Sequence, residues 1–315
     1  MSDILIVSPN WLGDAVMAMP AVKAFREANP SARIAVLAKK SVAPLWDICG
    51  MADETIVLPK GARATFAAGK ALRGRAFETA YVLPNSFRSA LIPFLAGIPR
   101  RRGAKGGDWR RFMLNDAVPM TGLENAHQKE EYGRLFNVER VSDFVANGSR
   151  SETPPYTVLI PGAARGDSKR WPFFAEAAKL ILEKRPQTKF KICGAAAESG
   201  LCREAAQQIG PAAESFAGKT DLKGFAQTLA GAELVVCNDS GGMHLACAVG
   251  APVVAVFGLT DPNKTGPIGA DAVAIRPEGV KASRDIARTS AAAAAALRTI
   301  SPEQVARICL EKMCR

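Results

Sequence analysis

The chain has 315 residues, with 41 lysines and arginines against 30 aspartates and glutamates, so its formal net charge is +11. This length is sufficient for two domains with a core each. A hydrophobic share of 48% and a charged share of 23% exclude a disordered chain. No apolar run approaches the roughly 18 residues of a membrane span. An apolar strand at Ile4–Val7 leaves no room for a signal peptide, so we expect a cytoplasmic protein.

Apolar runs in the N-terminal half alternate with helical patterns. They predict strands at Ile4–Ser8, Arg33–Ala38, Thr55–Leu58 and Thr79–Leu83, and a helix over Ala15–Ala28. Strand–helix–strand order with continuous apolar strands predicts an α/β fold, with a parallel sheet that helices cover on both faces.

The positive charge is concentrated between Lys60 and Arg111, where the chain has twelve basic and two acidic residues. Such a density indicates a polyanionic partner: nucleic acid, an anionic membrane surface or a phosphorylated substrate. No nucleic-acid-binding motif accompanies it, so an acidic lipid or a phosphorylated substrate is favoured. The alternative is a solvated face that only aids solubility.

Gly148–Pro155 is rich in Gly, Ser and Pro and predicts a linker, which divides the chain into domains 1–152 and 153–315. The alternation then restarts, so we expect two Rossmann-like halves with ligands at the carboxyl ends of the strands, in a cleft. The predicted strands are Tyr156–Ile160, Phe190–Cys193, Leu234–Cys237 and Pro252–Phe257. The predicted helices are Pro172–Lys184, Leu201–Ile209, Leu222–Gly231, Gly242–Val249, Asp285–Leu297 and Ser301–Met313.

Seven cysteines form no C-x-x-C pair, and the chain has only two histidines, His127 and His244. This composition argues against a structural zinc site and against a disulfide framework. We therefore expect reduced, mostly buried thiols and no metal centre.

The loop Ser8–Asp14 follows the first predicted strand and lacks the G-x-G-x-x-G pattern of dinucleotide-binding folds. Two interpretations of Asp14 remain open. It either caps the following helix, as aspartate often does, or presents its carboxylate to the cleft as a general base.

Three loops of the second half follow predicted strands and contain small residues. Pro161–Pro172 includes two cations, Lys169 and Arg170, and opens a helix, which is typical of a phosphate site but also fits a long solvated turn. Asn238–His244 contains paired glycines at a helix start, which favours an anion site over a simple cap. Gly194–Glu198 offers an acid for ribose hydroxyls or an ordinary surface glutamate.

Five segments together resemble the lipopolysaccharide heptosyltransferases, most closely the heptosyltransferase II members. They are Pro9–Pro20, Leu83–Ala90, Leu95–Arg100, Lys169–Pro172 and Asn238–His244. The resemblance implies a GT-B fold, in which two Rossmann-like domains face each other across a cleft. It also implies an inverting transfer of L-glycero-D-manno-heptose from ADP-heptose to the first heptose on Kdo-lipid A. ADP-heptose is then a substrate, and no cofactor is needed.

The resemblance also implies roles for individual residues. Asp14 would be the general base, and Lys169 would neutralise the departing diphosphate. The implied donor site consists of Glu198, Asp239, Ser240, Gly241, Gly242, Met243 and His244. On the acceptor side we expect Asn10, Trp11, Ser86, Arg88, Arg100, Arg101 and Arg102. Cation and helix dipole would replace a metal, because the chain has no D-x-D pair.

Other functions use the same motifs. Another heptosyltransferase with a different core acceptor would share the donor loops. A nucleotide-sugar epimerase or hydrolase would not require a basic acceptor surface. A non-catalytic nucleotide-binding protein would need no acid at position 14 beyond a cap. The basic patch fits an acceptor that carries carboxylates and phosphates on an anionic membrane surface.

Overall fold

The structure, a computed structural model, describes residues 3–139, 141–143, 155–164, 166–269, 271–282 and 290–314. The chain divides into two compact units, Met1–Phe144 and Val145–Arg315, which we call the N-terminal unit and the C-terminal unit. Nearly all of the predicted linker Gly148–Pro155 lies outside the described residues. The predicted boundary after residue 152 therefore stays a prediction.

The N-terminal unit is built on a six-stranded sheet with helices between the strands. Its strands are β1 (Asp3–Val7), β2 (Arg33–Lys39), β3 (Glu54–Leu58), β4 (Thr79–Val82), β5 (Arg100–Ala104) and β6 (Asp116–Val118). Its helices are α1 (Leu12–Ala28), α2 (Ala43–Cys49), α3 (Ala62–Arg73), α4 (Phe87–Leu95), α5 (Asp108–Arg111) and α6 (Gln128–Leu135).

The C-terminal unit is built on a second six-stranded sheet. Its strands are β7 (Thr157–Ile160), β8 (Phe190–Ile192), β9 (Ala213–Ser215), β10 (Leu234–Asn238), β11 (Val253–Val256) and β12 (Ala272–Ile275). Its helices are α7 (Phe174–Lys184), α8 (Ser199–Ile209), α9 (Leu222–Ala230), α10 (Gly241–Ala248), α11 (Pro262–Thr265), α12 (Ala291–Arg298) and α13 (Pro302–Met313). Short 3₁₀ turns occur at Asp167–Lys169 and Ala196–Glu198.

The two sheets have the same topology. The strand orders are β3-β2-β1-β4-β5-β6 and β9-β8-β7-β10-β11-β12, and neighbouring strands pair in parallel. This is the 3-2-1-4-5-6 order of Rossmann folds, so the predicted fold class of two Rossmann-like parallel sheets is confirmed. In each sheet the strand order reverses between two central strands, β1 and β4 or β7 and β10. Loops that leave these strands diverge there, which leaves a crevice at the carboxyl edge.

Apolar side chains cover both faces of each sheet. In the N-terminal unit, Leu5 and Val82 pack towards one face, while Phe25, Tyr81 and Phe136 form an aromatic cluster on the other. Burial on both faces explains why these strands are continuously apolar rather than alternating. No helix among the described residues has the length and hydropathy of a membrane span.

Periodicity missed strands β5, β6, β9 and β12, and it missed β5 because three of its five residues are arginines. Arg102 is nevertheless buried, and its Nη1 donates to the two carboxylate oxygens of Asp116 at 2.8 and 2.9 Å. Its Nε donates to the carbonyl of Leu135 at 2.6 Å. These partners satisfy the guanidinium away from water, so an apolar side chain is not required there.

Most predicted helix ends in the described residues lie within two or three residues of the observed ones. The helix after β1 begins at Leu12 rather than Ala15. The final helix is capped as its sequence indicates, because Ser301 Oγ accepts a hydrogen bond from Gln304 N at 3.2 Å. The predicted helix Asp285–Leu297 is observed as α12 (Ala291–Arg298), and residues 283–289 lie outside the described part.

Replacing Asp116 by Asn should destabilise the N-terminal unit, because it leaves the buried Arg102 without its carboxylate. Burial alone would raise the pKa of Asp116, but hydrogen bonds from Arg102 and Arg100 hold that pKa below its usual value. The pair is therefore fully formed at neutral pH, and its stabilisation is lost as the pH falls through the folded-state pKa. We expect Asp116→Asn to lower the free energy of unfolding by about 2 kcal/mol in urea denaturation at pH 7.

The exposed ion pair of Arg307 and Glu311, whose atoms are 3.1 Å apart, provides the control. Glu311→Gln should change the free energy of unfolding by less than about 0.5 kcal/mol. Equal effects of the two substitutions would mean that the buried pair contributes no more than an exposed one.

Candidate functional site

Asn238, the last residue of β10, joins the two loops that flank the switch point of the C-terminal sheet. It is fully buried, and its Nδ2 donates to the carbonyl of Pro161 at 2.8 Å. Its Oδ1 accepts from the backbone N–H of Trp171 at 2.9 Å. The indole of Trp171 is itself buried and donates to the carbonyl of Ile300 at 2.9 Å. These bonds fix the positions of both ends of the loop that carries Lys169.

Lys169 and Asp239 form an ion pair at this carboxyl edge. Their side chains are only 15% and 8% exposed, so both charges are largely withdrawn from water. Thr260 Oγ1 donates a second hydrogen bond to Asp239 Oδ2 at 2.7 Å. The cation that the sequence placed at a phosphate is thus already neutralised by a neighbouring carboxylate. A bound anion would compete with Asp239 for this ammonium group.

Helix α10 begins directly after Asp239, with Ser240 at its N-cap position. The buried Ser240 Oγ makes no hydrogen bond within the part of the chain that the structure describes. The first turn therefore directs partial positive charge, and a hydroxyl that can donate, towards the same edge as Lys169. A Cβ at Gly242 would lie 2.9 Å from Ile160 Cδ1, so glycine allows the helix to pack this closely against β7.

Met243 and His244 lie in the first turn of α10 but are buried. The thioether of Met243 is fully enclosed in the core, so its side chain packs the helix against the sheet. Of the predicted donor residues on α10, the backbone of Gly241 and Gly242 and the Ser240 hydroxyl have the more favourable positions for a ligand. The donor role of Met243 and His244 stays a prediction.

Glu198 lies at the same edge, one strand away from the switch point. Its Oε2 accepts from the backbone N–H of Ala195 at 2.8 Å. A Cβ at Gly162 would clash with Glu198 Oε1, so the carboxylate packs directly against the loop after β7. The fold therefore places Glu198 against the same loop, Pro161–Pro172, that carries Lys169.

The N-terminal unit has its own switch-point loop, which carries Asn10, Trp11 and Asp14. Ser8 Oγ accepts a hydrogen bond from the buried Trp46 indole at 2.9 Å, which fixes the start of this loop. Trp11 occupies the N-cap position of α1, and its side chain is 62% exposed. Asp14 is the third residue of the helix and lies in its first turn, where a carboxylate also stabilises the helix N-terminus.

Asp14 is half-buried and lies close enough to Tyr132 of α6 to influence it electrostatically. Burial is the main cause that holds the pKa of Tyr132 well above its usual range, and the charge of Asp14 adds to it. Tyr132 therefore stays protonated at neutral pH, and its hydroxyl accepts a hydrogen bond from Gln128 Nε2 at 3.0 Å. Asp14 thus occupies the helix N-terminus beside a neutral phenol, at the carboxyl edge.

The loop after β4 forms the other side of this switch point. Ser86 caps α4, since its Oγ accepts from Ser89 N at 3.2 Å. Arg88 does not extend freely into solvent, because its Nε donates to Thr65 Oγ1 at 2.7 Å and its Nη2 donates to the carbonyl of Pro59 at 3.0 Å. Ser86 is accordingly at the expected edge, whereas Arg88 joins α4 to the segment before α3.

Arg100, Arg101 and Arg102 are not at this edge. The strand register pairs Arg100 with Thr79 and Thr79 with Ile4, near the amino ends of β5, β4 and β1. Arg100 and Arg102 bind Asp116. Arg101 donates to the carbonyl of Met113 at 2.6 Å. The structure therefore does not bring these three predicted acceptor residues to Asp14.

The sequence analysis did not identify three residues at these edges as individual site residues. Asn238 lies inside a quoted motif and Arg110 inside the basic patch, while Thr260 carried no signal. Arg110 is buried and donates to the carbonyls of Pro84 (2.8 Å), Ser86 (3.1 Å) and Ala104 (3.2 Å). Burial lowers the pKa of Arg110 to about 10, so it remains charged at neutral pH. It holds the loops after β4 and β5 together.

Comparison with known proteins places this chain among the glycosyltransferases. The family model described as glycosyltransferase family 9 (heptosyltransferase) matches residues 65–295. Lipopolysaccharide heptosyltransferase 2 of Escherichia coli K12 is 32% identical over 307 residues, which cover 87% of this chain and 87% of that protein. The resemblance that the motifs indicated is thereby confirmed.

Solved structures agree with this similarity. The structure of the E. coli ADP-heptose LPS heptosyltransferase II has a TM-score of 0.85 at 27% identity, covering 100% of this chain and 99% of its own. The E. coli heptosyltransferase WaaC with ADP has a TM-score of 0.78 at 18% identity, covering 98% of this chain and 99% of its own, and shows the same fold.

Replacing Asp239 by Asn should make the site more receptive to anions while destabilising the C-terminal unit. Lys169 then remains buried without its carboxylate, which should cost about 3 kcal/mol of unfolding free energy. Pyrophosphate can take the place of the lost carboxylate. We therefore expect it to raise the melting temperature of Asp239→Asn by more than that of the unmodified protein in thermal unfolding.

The double variant Lys169→Ala, Asp239→Asn is the matched control, because it removes both charges of the pair. Its melting temperature should not respond to pyrophosphate more than that of the unmodified protein does. Equal pyrophosphate shifts in all three proteins would show that Asp239 does not compete with anions for Lys169.

Proposed function

This chain belongs to glycosyltransferase family 9, the heptosyltransferases, and we propose that it transfers L-glycero-D-manno-heptose from ADP-heptose to the first heptose of the lipopolysaccharide inner core. The observation that carries this proposal is the meeting of Lys169, Asp239 and the first turn of α10 at one carboxyl edge. Such an arrangement suits a diphosphate that gains negative charge as it leaves. In this proposal the C-terminal domain, from residue 153, binds the donor, and the N-terminal domain, to residue 152, binds the acceptor.

Donor binding is assigned to the loops after β7, β8 and β10. The diphosphate receives the Lys169 ammonium, the amide N–H groups of Gly241 and Gly242, and the Ser240 hydroxyl. Asp239 holds Lys169 in place before the donor binds, and keeps its hydrogen bond from Thr260. Glu198 accepts from the ribose hydroxyls, as a carboxylate after a strand of a Rossmann fold commonly does. The solved structure of WaaC with ADP supports a nucleotide at this kind of fold.

Asp14 is assigned as the general base. The acceptor hydroxyl oxygen attacks the anomeric carbon from the face opposite to ADP, and Asp14 takes its proton. The bond from the anomeric carbon to the diphosphate oxygen breaks, and ADP leaves with the electron pair, so the configuration inverts. Lys169 and the α10 amides neutralise that charge, and no metal or cofactor is required in this scheme.

The acceptor is assigned to the edge with Asn10, Trp11 and Ser86, where the exposed Trp11 ring can stack on a sugar. Arg88 and Arg110 organise this edge. The acceptor is a lipid-anchored, phosphorylated saccharide, so we place the protein in the cytoplasm in peripheral contact with an anionic membrane. Charge from the Lys60–Arg111 segment favours such contact.

An ADP-release assay with excess EDTA tests the reaction. ADP-heptose is supplied with and without an inner-core acceptor that carries one heptose. We expect release only when both substrates are present, because the enzyme couples release to acceptor attack. Release from the donor alone would indicate a hydrolase. Release that requires a divalent cation would contradict the metal-independent scheme, and release only with another core acceptor would indicate a different heptosyltransferase.

Asp14→Asn should lower the rate of transfer by at least about a hundredfold, since a general base contributes about 10² to 10⁴ in rate. The affinity for ADP should stay within a few-fold, because the donor edge belongs to the other unit. Glu27→Gln, which changes an exposed carboxylate near the opposite end of α1, is the control and should leave both quantities unchanged. Equal losses of transfer and ADP binding in Asp14→Asn would make Asp14 a structural residue.

A further inference from the structure

Large apolar side chains are exposed on the N-terminal unit in an uneven way. Every exposed large hydrophobic residue in the described part of the chain lies in this unit. Five of them are aromatic residues of α3, α4 and α5 or next to α5, and they are 45% to 76% exposed. We call this set the aromatic face: Phe66, Phe87, Phe94, Trp109 and Phe112.

A hydrogen bond from Arg88 joins the two helices that carry Phe66 and Phe87. Its Nε donates to Thr65 Oγ1 at 2.7 Å, which joins α4 to α3. Phe87 and Phe66 are the direct chain neighbours of these two residues. Both phenyl groups are half or more exposed, so the joined helices present them to solvent.

Arg110 connects the face to α5. Its guanidinium donates to the carbonyl of Ser86 at 3.1 Å, and Ser86 directly precedes Phe87. Trp109, the residue before Arg110, is 76% exposed. The indole of Trp109 therefore extends from the segment that Arg110 anchors beside the start of α4.

Arg101 makes the third connection. Its guanidinium carbon lies 5.5 Å from the centre of the Phe94 ring, and its Nε donates to the carbonyl of Met113 at 2.6 Å. Phe112 directly precedes Met113. Three arginines, all engaged with backbone or hydroxyl groups, thus link the segments that carry these five exposed aromatic residues.

Exposed cations accompany the aromatic residues. Arg63 and Lys70 share the solvent side of α3 with Phe66, since their spacing of three and four residues places them on one helix face. Lys105 is exposed just before α5. The guanidinium carbon of Arg111 lies 5.2 Å from the centre of the Phe112 ring. Arg63, Lys70 and Lys105 have no carboxylate in ion-pair distance among the described residues.

Amphipathic aromatic rings beside cations are the composition of a membrane-interface surface. On α4, Phe87, Leu91 and Phe94 lie along one side over about 10 Å, which gives an apolar stripe long enough to enter the headgroup layer. We propose that the aromatic face docks on an anionic lipid leaflet, with the rings inserted and the exposed cations against headgroup phosphates. The proposal rests on the proposed function, because a lipid-anchored acceptor requires the enzyme to work at a membrane surface.

The charge balance favours lipid over a second copy of the chain. The exposed cations Arg63, Lys70 and Lys105 have no carboxylate in ion-pair distance among the described residues, so two copies of this face would repel each other in a symmetric dimer. The face also consists of helices with an apolar stripe on α4, whereas single-stranded nucleic acid binds in a basic groove with separate stacking rings. An anionic leaflet matches both the charge and the apolar stripe.

Vesicle co-sedimentation tests the proposal with phosphatidylglycerol-rich and pure phosphatidylcholine vesicles. We expect the unmodified protein to bind the anionic vesicles preferentially. Phe66→Ser with Trp109→Ser, and separately Arg63→Gln with Lys70→Gln, should each lower the partition coefficient about tenfold. The controls are Val57→Ser, an exposed apolar residue on β3, and Arg203→Gln with Lys223→Gln on the C-terminal unit. Both controls should bind like the unmodified protein.

Depth of insertion is measured by quenching of tryptophan fluorescence with brominated lipids. Quenching should persist in Trp11→Phe and fall strongly in Trp109→Phe. The proposal would be overturned if quenching were lost in Trp11→Phe and persisted in Trp109→Phe. It would also be overturned if the protein bound neutral vesicles as well as anionic ones, or if all face variants bound vesicles like the unmodified protein. It would also be overturned if the face variants dissolved a dimer, or abolished RNA binding, without changing vesicle binding.

Transfer to two acceptors separates this proposal from the proposed function. Face variants should release ADP at the unmodified rate with a delipidated, water-soluble acceptor, and more slowly with the same acceptor embedded in vesicles. Vesicle binding without any transferase activity would refute the proposed function and leave the docking surface standing. Transfer without vesicle binding would refute the docking surface alone.

Discussion

Parallel pairing of the strands is the constraint on which both candidate sites depend. It directs the last residue of every strand, and the N-terminus of the following helix, to a single edge of each sheet. At the switch points, β1 beside β4 and β7 beside β10, the chain leaves in opposite directions and opens a crevice. Asp14 and Ser86 flank one crevice, and Lys169 and Asp239 flank the other. Residues that are far apart in sequence become neighbours for this topological reason alone.

A second constraint is that every buried cation needs a hydrogen-bonding partner. The kind of partner determines whether the charge is neutralised or remains available to a bound anion. Arg102 binds a carboxylate and backbone carbonyls, so its charge is neutralised within the sheet and stabilises the packing of β5. Lys169 also meets a carboxylate, yet at an edge where a stronger anion can displace it. Arg110 has carbonyl partners, which satisfy its N–H groups without cancelling its charge. The edge around Ser86 therefore remains positive, which suits a phosphorylated acceptor.

The carboxyl edge of the C-terminal sheet could be predicted from sequence to a large extent, because its signals are local. Strand, glycine-containing loop and helix start are adjacent in the chain at Asn238–His244, and the apolar runs that precede such loops identify the strands. The pairing of Lys169 with Asp239 could not be predicted, since it depends on β7 lying beside β10. Strand β5 was missed because hydrophobic periodicity treats every arginine as exposed. Arg102 is buried instead, since residues distant in sequence bind its guanidinium.

The basic segment shows why a count of charges predicts a partner class but not a contact surface. Four of its arginines, Arg88, Arg101, Arg102 and Arg110, bind hydroxyls, carbonyls or Asp116, and therefore stabilise the N-terminal unit. Arg63, Lys70 and Lys105 lie outside that scaffold. Two of the arginines that were expected to bind the acceptor, Arg88 and Arg101, link segments that carry exposed aromatic rings, and Arg63 and Lys70 lie on the same helix face as Phe66. Binding to a membrane interface then needs both groups of basic residues. The internally bonded arginines stabilise the helices that carry the aromatic face, and the exposed cations attract that face to an anionic surface.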